Sequence, residues 1–211
     1  MNIYKIEAKM PCRNVMVDFG AKLNSKLSSE LWKNSLSGLD EGFGQFLNIN
    51  GDSQVDNFGV VLNSSDFLSC VVPFPIFSKR AAEVLKIVDG LSFVDVGIDV
   101  FFDFCIGIIN DRVHFIDEEK SRYRPLSNGD LIISDFAYLE PLRDFYIARD
   151  KEHNSQFVVS DAFVELCFEN KLEIQFKKLS TVRQRVSLID KGKNNKAYMD
   201  VPEGVQNSVS R

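Results

Sequence analysis

The sequence is poorest in the residue sets that carry chemistry. It has two histidines, His114 and His153, with no HExxH or other ligand spacing around either. That argues against a zinc centre, which needs three or four Cys, His or carboxylate ligands at set intervals. The four cysteines (Cys12, Cys70, Cys105, Cys167) lie far apart in apolar surroundings, with no CxxC pair. They are expected to be reduced core residues, because a free Cys packs as a small hydrophobe. A Walker loop and a GxSxG elbow are also missing, so phosphate cradling and serine hydrolase chemistry have no sequence support. The GxG at Gly42 has no third glycine and no strong preceding strand. No run approaches the roughly 18 apolar residues of a membrane span. Without an apolar leader at the N-terminus, the expected compartment is the cytoplasm.

What remains is the composition of a globular chain, 45% hydrophobic and 26% charged over 211 residues, with an expected single domain over 1–190. Phenylalanine is over-used, 18 residues, which points to an aromatic core. The net charge of -5 is uneven. Residues 180–211 hold six basic and three acidic side chains, a net of +3, so the rest carries -8. An acidic body disfavours nucleic acid as a direct ligand and suits a basic protein partner.

Local patterns predict the elements. Ile3 to Lys9 alternates as a half-buried strand. Ser28-Ser29 reads as a helix start and Gly38 as its stop, followed by a glycine-punctuated stretch with a short strand at 46–49. Ser78 is placed as an N-cap, with Ala82, Val84, Leu85 and Val88 on one helix face and Gly90 as the left-handed stop. From Val94 to Ile108 the even-numbered residues are apolar, predicting two successive strands or one bent one. Asn110-Asp111 is a turn, with Val113–Asp117 returning as hairpin partner. Asp117 to Arg124 (DEEKSRYR) reads as a charged loop, and 131–134 and 144–148 as strands.

A second unit then repeats the first: strand Phe157–Val159, cap Ser160, a helix through Glu169 and a strand at 172–177. Overlaying Ser78 on Ser160 aligns Glu83 with Glu165 and Val84 with Leu166, and one gap matches Leu91 with Leu172. Thr181-x-x-Gln184 has capping-box spacing and suggests a last short helix. Residues 191–211 are too polar for a core and are expected to form a mobile tail. The fold class predicted is α+β: a mixed, largely antiparallel sheet with a few amphipathic helices.

No residue set completes a catalytic constellation. Ser160 with His153 upstream lacks an orienting acid, and capping is the commoner role of such a serine. Asp117-Glu118-Glu119 has no EF-hand spacing, so a solvated acidic turn is the plainer reading than a metal site. No cofactor is called for.

The run RDKEHNSQFVVSDAFVELCFENKLEIQF, from Arg149 to Phe176, resembles the C-terminal signature of a family of bacterial immunity proteins. This is family eleven of the polymorphic-toxin systems, earlier catalogued as a domain of unknown function. PIFSKRAAEVL from Pro75 and FFDFCIGIINDRVHFIDEEKS from Phe101 are similar to its upstream pieces. The resemblance covers about 75 to 180. The family often has glycine after the second helix; here Asn170-Lys171 stands there, and Asn tolerates the left-handed conformation.

The resemblance implies a cytoplasmic antidote, not an enzyme, that binds a cognate toxin domain delivered by a neighbouring cell. If that toxin is a basic nuclease, acidic side chains would take the place of nucleic-acid phosphates. The expected contact patch is Asp117, Glu118 and Glu119 together with Asp150, Glu152 and His153, with Arg122, Tyr123 or Arg149 as anchors. An enzyme that reverses a toxin's modification, and a non-inhibitory adaptor, are the alternatives.

Overall fold

The computed structural model describes residues 1–9, 16–32, 50–53, 65–99 and 101–183. The fold is α+β with mixed, mostly antiparallel strand pairing. The strands are divided among three assemblies instead of one sheet.

The first assembly is a closed six-stranded barrel in the order β2-β3-β6-β7-β5-β4. Its strands are β2 (Met16–Asp18), β3 (Asn50–Ser53), β4 (Phe67–Cys70), β5 (Ile76–Ser78), β6 (Leu91–Ile98) and β7 (Phe101–Ile109). The even-numbered alternation has a direct meaning here. Val96, Ile98, Phe104, Ile106 and Ile108 fill the barrel with Leu68, Phe74 and Ile76. Helix α1 (Gly20–Trp32) adds Leu23 and Leu27 to that cluster. The odd-numbered Leu91, Phe93 and Ile109 point out of the barrel into a second core. Burial on both sides, not a wet face, is therefore the fate of β7. Gly107 fits this crowding, because a Cβ there would lie 2.8 Å from the Phe77 ring.

The second assembly is a five-stranded sheet, β13-β1-β12-β11-β8. It comprises β1 (Ile3–Ala8), β8 (Arg112–Val113), β11 (Ile147–Asp150), β12 (Phe157–Ser160) and β13 (Ile174–Lys178). The third is a three-stranded sheet, β14-β10-β9, made of β9 (Ile116–Pro125), β10 (Leu131–Leu139) and β14 (Thr181–Val182). Between barrel and sheet lies the second core, where helices α2 (Lys79–Leu85) and α3 (Asp161–Glu169) bring Ala81 and Leu85 together with Phe163 and Cys167. Phe67 and Phe77 meet there edge to face, with ring centroids 5.6 Å apart, an arrangement that adds to area burial.

The two predicted strand–helix–strand units form with the expected caps. The Ser78 side chain accepts from the Ala81 N–H and that of Ser160 from the Phe163 N–H; each such cap contributes about 1 kcal/mol. In each unit the two strands are parallel and split by a third. β5 and β6 flank β7, while β12 and β13 flank β1. Gly90 takes a left-handed φ of 78°, but it is not the helix stop: α2 ends at Leu85 with Lys86 as a right-handed cap, and Val88 and Gly90 lie in the turn that follows.

Several local expectations are corrected. Ser28-Ser29 lies inside α1, which starts eight residues earlier at Gly20. The hairpin partner of β7 is β6; Val113 pairs in parallel with β11 instead. The charged segment from Asp117 to Arg124 is strand β9, and Thr181 belongs to β14, paired in parallel with β10. The strand expected at 144–148 runs Ile147–Asp150. Gly38, the strand at 46–49, the GxG at Gly42, Cys12, Gln184 and the 191–211 tail lie outside the described residues.

After α3 the left-handed residue is Lys171 (φ 52°), not Asn170 (φ -93°). The Leu172 N–H reaches the Cys167 carbonyl at 2.9 Å and the Lys171 N–H that of Phe168 at 3.0 Å, the two bonds of a Schellman stop. A lysine in this conformation costs about 1 kcal/mol relative to glycine. Lys171→Gly is thus expected to raise stability, read from the urea midpoint, by up to about 0.5 kcal/mol once the freer unfolded chain is counted. An unchanged or lower midpoint would count against it.

Candidate functional site

The predicted patch divides into residues that converge on one concavity and residues that build it. A trough of about 800 Å³ is lined by His114, Asp117, Glu118, Glu119, Lys120 and Glu152, with Ile116, Leu139, Val182 and Arg183 completing its walls. Four of the nine predicted residues (Asp117, Glu118, Glu119 and Glu152) therefore share one site. His153 joins them through Glu118, its Nε2 lying 2.7 Å from Oε1 of that residue. Its ring rests edge-on against Phe136, 5.9 Å between centroids.

Asp150 organises this arrangement. Its side chain is fully buried. Oδ2 accepts the N–H groups of Phe115 at 2.8 Å and Ile116 at 3.1 Å, and Oδ1 those of Glu152 at 2.9 Å and His153 at 3.0 Å. One carboxylate thus clamps the entry to β9 against the turn after β11, the two segments that supply the trough's acids. The His114 ring stands 3.9 Å from the same carboxylate. Asp150 is therefore removed from the contact patch and becomes a positioning residue. An aspartate accepting from N–H groups two and three residues ahead is an Asx-type turn, and RDKEH carries that signal.

Arg149 is corrected for the same reason. It is also fully buried and reaches away from the trough. Nη1 donates to the Asn154 carbonyl at 2.7 Å and Nη2 to the Pro73 carbonyl at 2.8 Å. The guanidinium is held between the rings of Phe74 and Phe157, 5.2 and 5.6 Å from their centroids. Burial, with a smaller contribution from the neighbouring Arg112 charge, pushes its pKa down to about 9, which leaves it charged at neutral pH. Asn154, in the same segment, is buried too and accepts a hydrogen bond from Arg112 through its side-chain oxygen. Asp117 lines the trough but is largely covered; its bond to the Lys120 ammonium, at 3.0 Å, is the main cause holding its carboxyl below the usual range.

Arg122 and Tyr123 stand farther out on β9, both exposed. Neither lines the trough, although the Tyr123 hydroxyl donates to the Glu118 carbonyl at 3.2 Å. The walls supplied by Leu139 and Val182 meet through the parallel pairing of β10 and β14, a long-range contact with no local sequence mark.

The second concavity, about 430 Å³, is lined by Ser65, Asp66, Ser78, Lys79, Arg80, Asp103 and Glu173. Its central groups are spent on one another. Asp66 accepts from the Ser78 hydroxyl at 2.5 Å, the Glu173 N–H at 2.8 Å and the Arg80 guanidinium. Burial opposes the Asp66 charge, and these three donors together still lower its pKa. The site is a polar seam joining barrel to sheet. Burial pushes the thiols of Cys70, Cys105 and Cys167 up to about 12, so they are unreactive at neutral pH. Among the described residues no group of three or more His, Cys, Asp or Glu is placed to hold a metal ion, and no helix is long and apolar enough to cross a membrane.

No family model matches the sequence, and no curated protein matches it. The geometry and the residues themselves carry the functional reading.

Proposed function

We propose that this chain is an immunity protein that neutralises a bacterial toxin domain by binding it through the acidic trough at the base of β9. The observation that carries the reading is the Asp150 clamp, which holds Glu118 and Glu119 on one side and Glu152 and His153 on the other in fixed relation. A pre-ordered acidic concavity receives a basic side chain or loop of a partner without paying to order itself. Its field also speeds encounter with a basic surface. The sequence resemblance over about 75 to 180 supports the same reading, as does the acidic balance of the chain outside its last 32 residues.

The test is co-expression with the toxin encoded beside this gene. Wild-type protein should protect the cell, and death despite abundant folded protein would end the inhibitor reading. With purified toxin, Glu118→Lys combined with Glu119→Lys and Glu152→Lys should slow association by about tenfold or more at low salt and flatten its salt dependence. The fold should be retained, since all three side chains are exposed. Equal association rates for variant and parent would remove the trough from the interface.

A further inference from the structure

We infer that a compact monovalent anion of the halide class binds between Arg112 and Arg149, at the β8 edge of the five-stranded sheet. The two arginines are register partners in the parallel pairing of β8 with β11. Adjacent strands lie about 4.8 Å apart, so the two side chains leave the sheet next to each other. Like charges in such positions repel, and here one of them, Arg149, is fully buried. The Arg112 charge adds to burial in lowering the Arg149 pKa.

No carboxylate of the chain offsets this pair. Among the described residues neither arginine belongs to an ion pair. The two acids next to them in sequence are committed elsewhere. Asp111 takes the Arg143 guanidinium and, at 2.8 Å, the Arg112 backbone N–H. Asp150 is occupied by its four backbone N–H groups.

The hydrogen bonds the arginines do make bring them together. Arg112 donates through Nη1 to the Asn154 side-chain oxygen, and Arg149 through Nη1 to the carbonyl of the same residue. Each guanidinium then keeps one buried nitrogen without an acceptor, Nη2 of Arg112 and Nε of Arg149. Buried donors of this kind are rare in folded proteins. A water would accept from both but leave the two positive charges uncompensated; an anion answers both needs. Phe74 and Phe157 flank the Arg149 guanidinium, so a ligand meets it in the plane, where the Nε–H points. With Arg149 and Asn154 both buried, a halide suits the site better than a bulky oxyanion. β8 ends its sheet among the described residues and Arg112 is half-buried, which gives an ion its way in. None of this depends on the toxin reading.

Urea unfolding of the full chain at neutral pH tests the inference, with sodium chloride replacing sodium gluconate at a constant total of roughly 0.2 M. For a Kd of roughly 20 mM, the change to chloride should raise the folded-to-unfolded ratio about tenfold. Arg149→Met and Arg112→Gln should each abolish that gain. A wild-type gain below about twofold overturns the site, and so does a gain that survives in either variant. Should a variant fail to fold, wild-type crystals grown in roughly 0.2 M bromide decide by anomalous scattering. A bromide bonded to Arg149 Nε and Arg112 Nη2 is expected, and a water or no ligand at that position overturns the proposal.

Discussion

Asp150→Ala should destabilise the protein by about 4 kcal/mol and disassemble the trough. The carboxylate is fully buried and accepts four backbone N–H groups. Removing it strands donors that each cost about 1–3 kcal/mol when left unpaired in the interior, with relaxation recovering part of the sum. Asp150→Asn retains one acceptor oxygen but turns an amide N–H₂ towards two of the same N–H groups, so it should still lose about 2 kcal/mol or more. Urea unfolding monitored by tryptophan fluorescence and circular dichroism measures both. A loss below about 1 kcal/mol for the alanine variant would show that the clamp is not the anchor described. Under the proposed function, toxin association should also weaken in the asparagine variant under conditions where it remains folded. The side chain is fully buried, so that weakening would report positioning.

Arg149→Ala should cost about 3 kcal/mol, from two stranded carbonyls and a cavity, offset in part by removal of an unpaired buried charge. Its guanidinium joins the Pro73 carbonyl, in the β4–β5 connection of the barrel, to the Asn154 carbonyl beyond β11. Truncation leaves both carbonyls without this donor and opens a space between the Phe74 and Phe157 rings. No carboxylate pairs with Arg149 at salt-bridge distance among the described residues, and its Nε makes no hydrogen bond. An apolar side chain of similar length should therefore recover much of the loss, since it also removes a charge that is costly to bury. Arg149→Met is expected to be more stable than Arg149→Ala by about 2 kcal/mol. Equal stability of the two variants would contradict this account.

The same group gives a pH signature. Because folding lowers the Arg149 pKa to about 9, the unfolded chain binds more protons above that pH, and linkage makes stability rise with pH there. Wild type should thus gain on the methionine variant as pH increases from about 9 to 10.5, and not between pH 6 and 8.

The elements that were legible in the sequence are those whose signals are local. Ser78 and Ser160 mark helix starts through a bond to an N–H three residues on, and the even-numbered apolar run marks the barrel interior. β9 was illegible because ladder hydrogen bonds to β10, not apolar alternation, make it a strand. Its side chains are mostly exposed, so DEEKSRYR reads as loop. Arg149 and Asp150 were misplaced by the rule that charge means surface. What overrides the rule is local satisfaction, two carbonyls for one residue and four N–H groups for the other. The trough itself was half legible: its acids lie in two short runs, but the clamp that brings Glu118 beside His153 spans 35 residues of chain.

The position of β1 has a consequence for synthesis. Ile3 pairs with Ser160, and Lys5 with Lys177, so β1 has no ladder in this sheet until strands that come far later in the sequence have been made. The described barrel strands all fall between Met16 and Ile109 and can close while the ribosome is still adding the rest. Until then β1 must wait with both edges open, and chains released before about residue 178 would lack β13, one of its two neighbours. Long-range pairing of this kind slows folding and leaves nascent edges open to aggregation. A strand set between β12 and β13 thus imposes a folding step that must wait until β13 has been made.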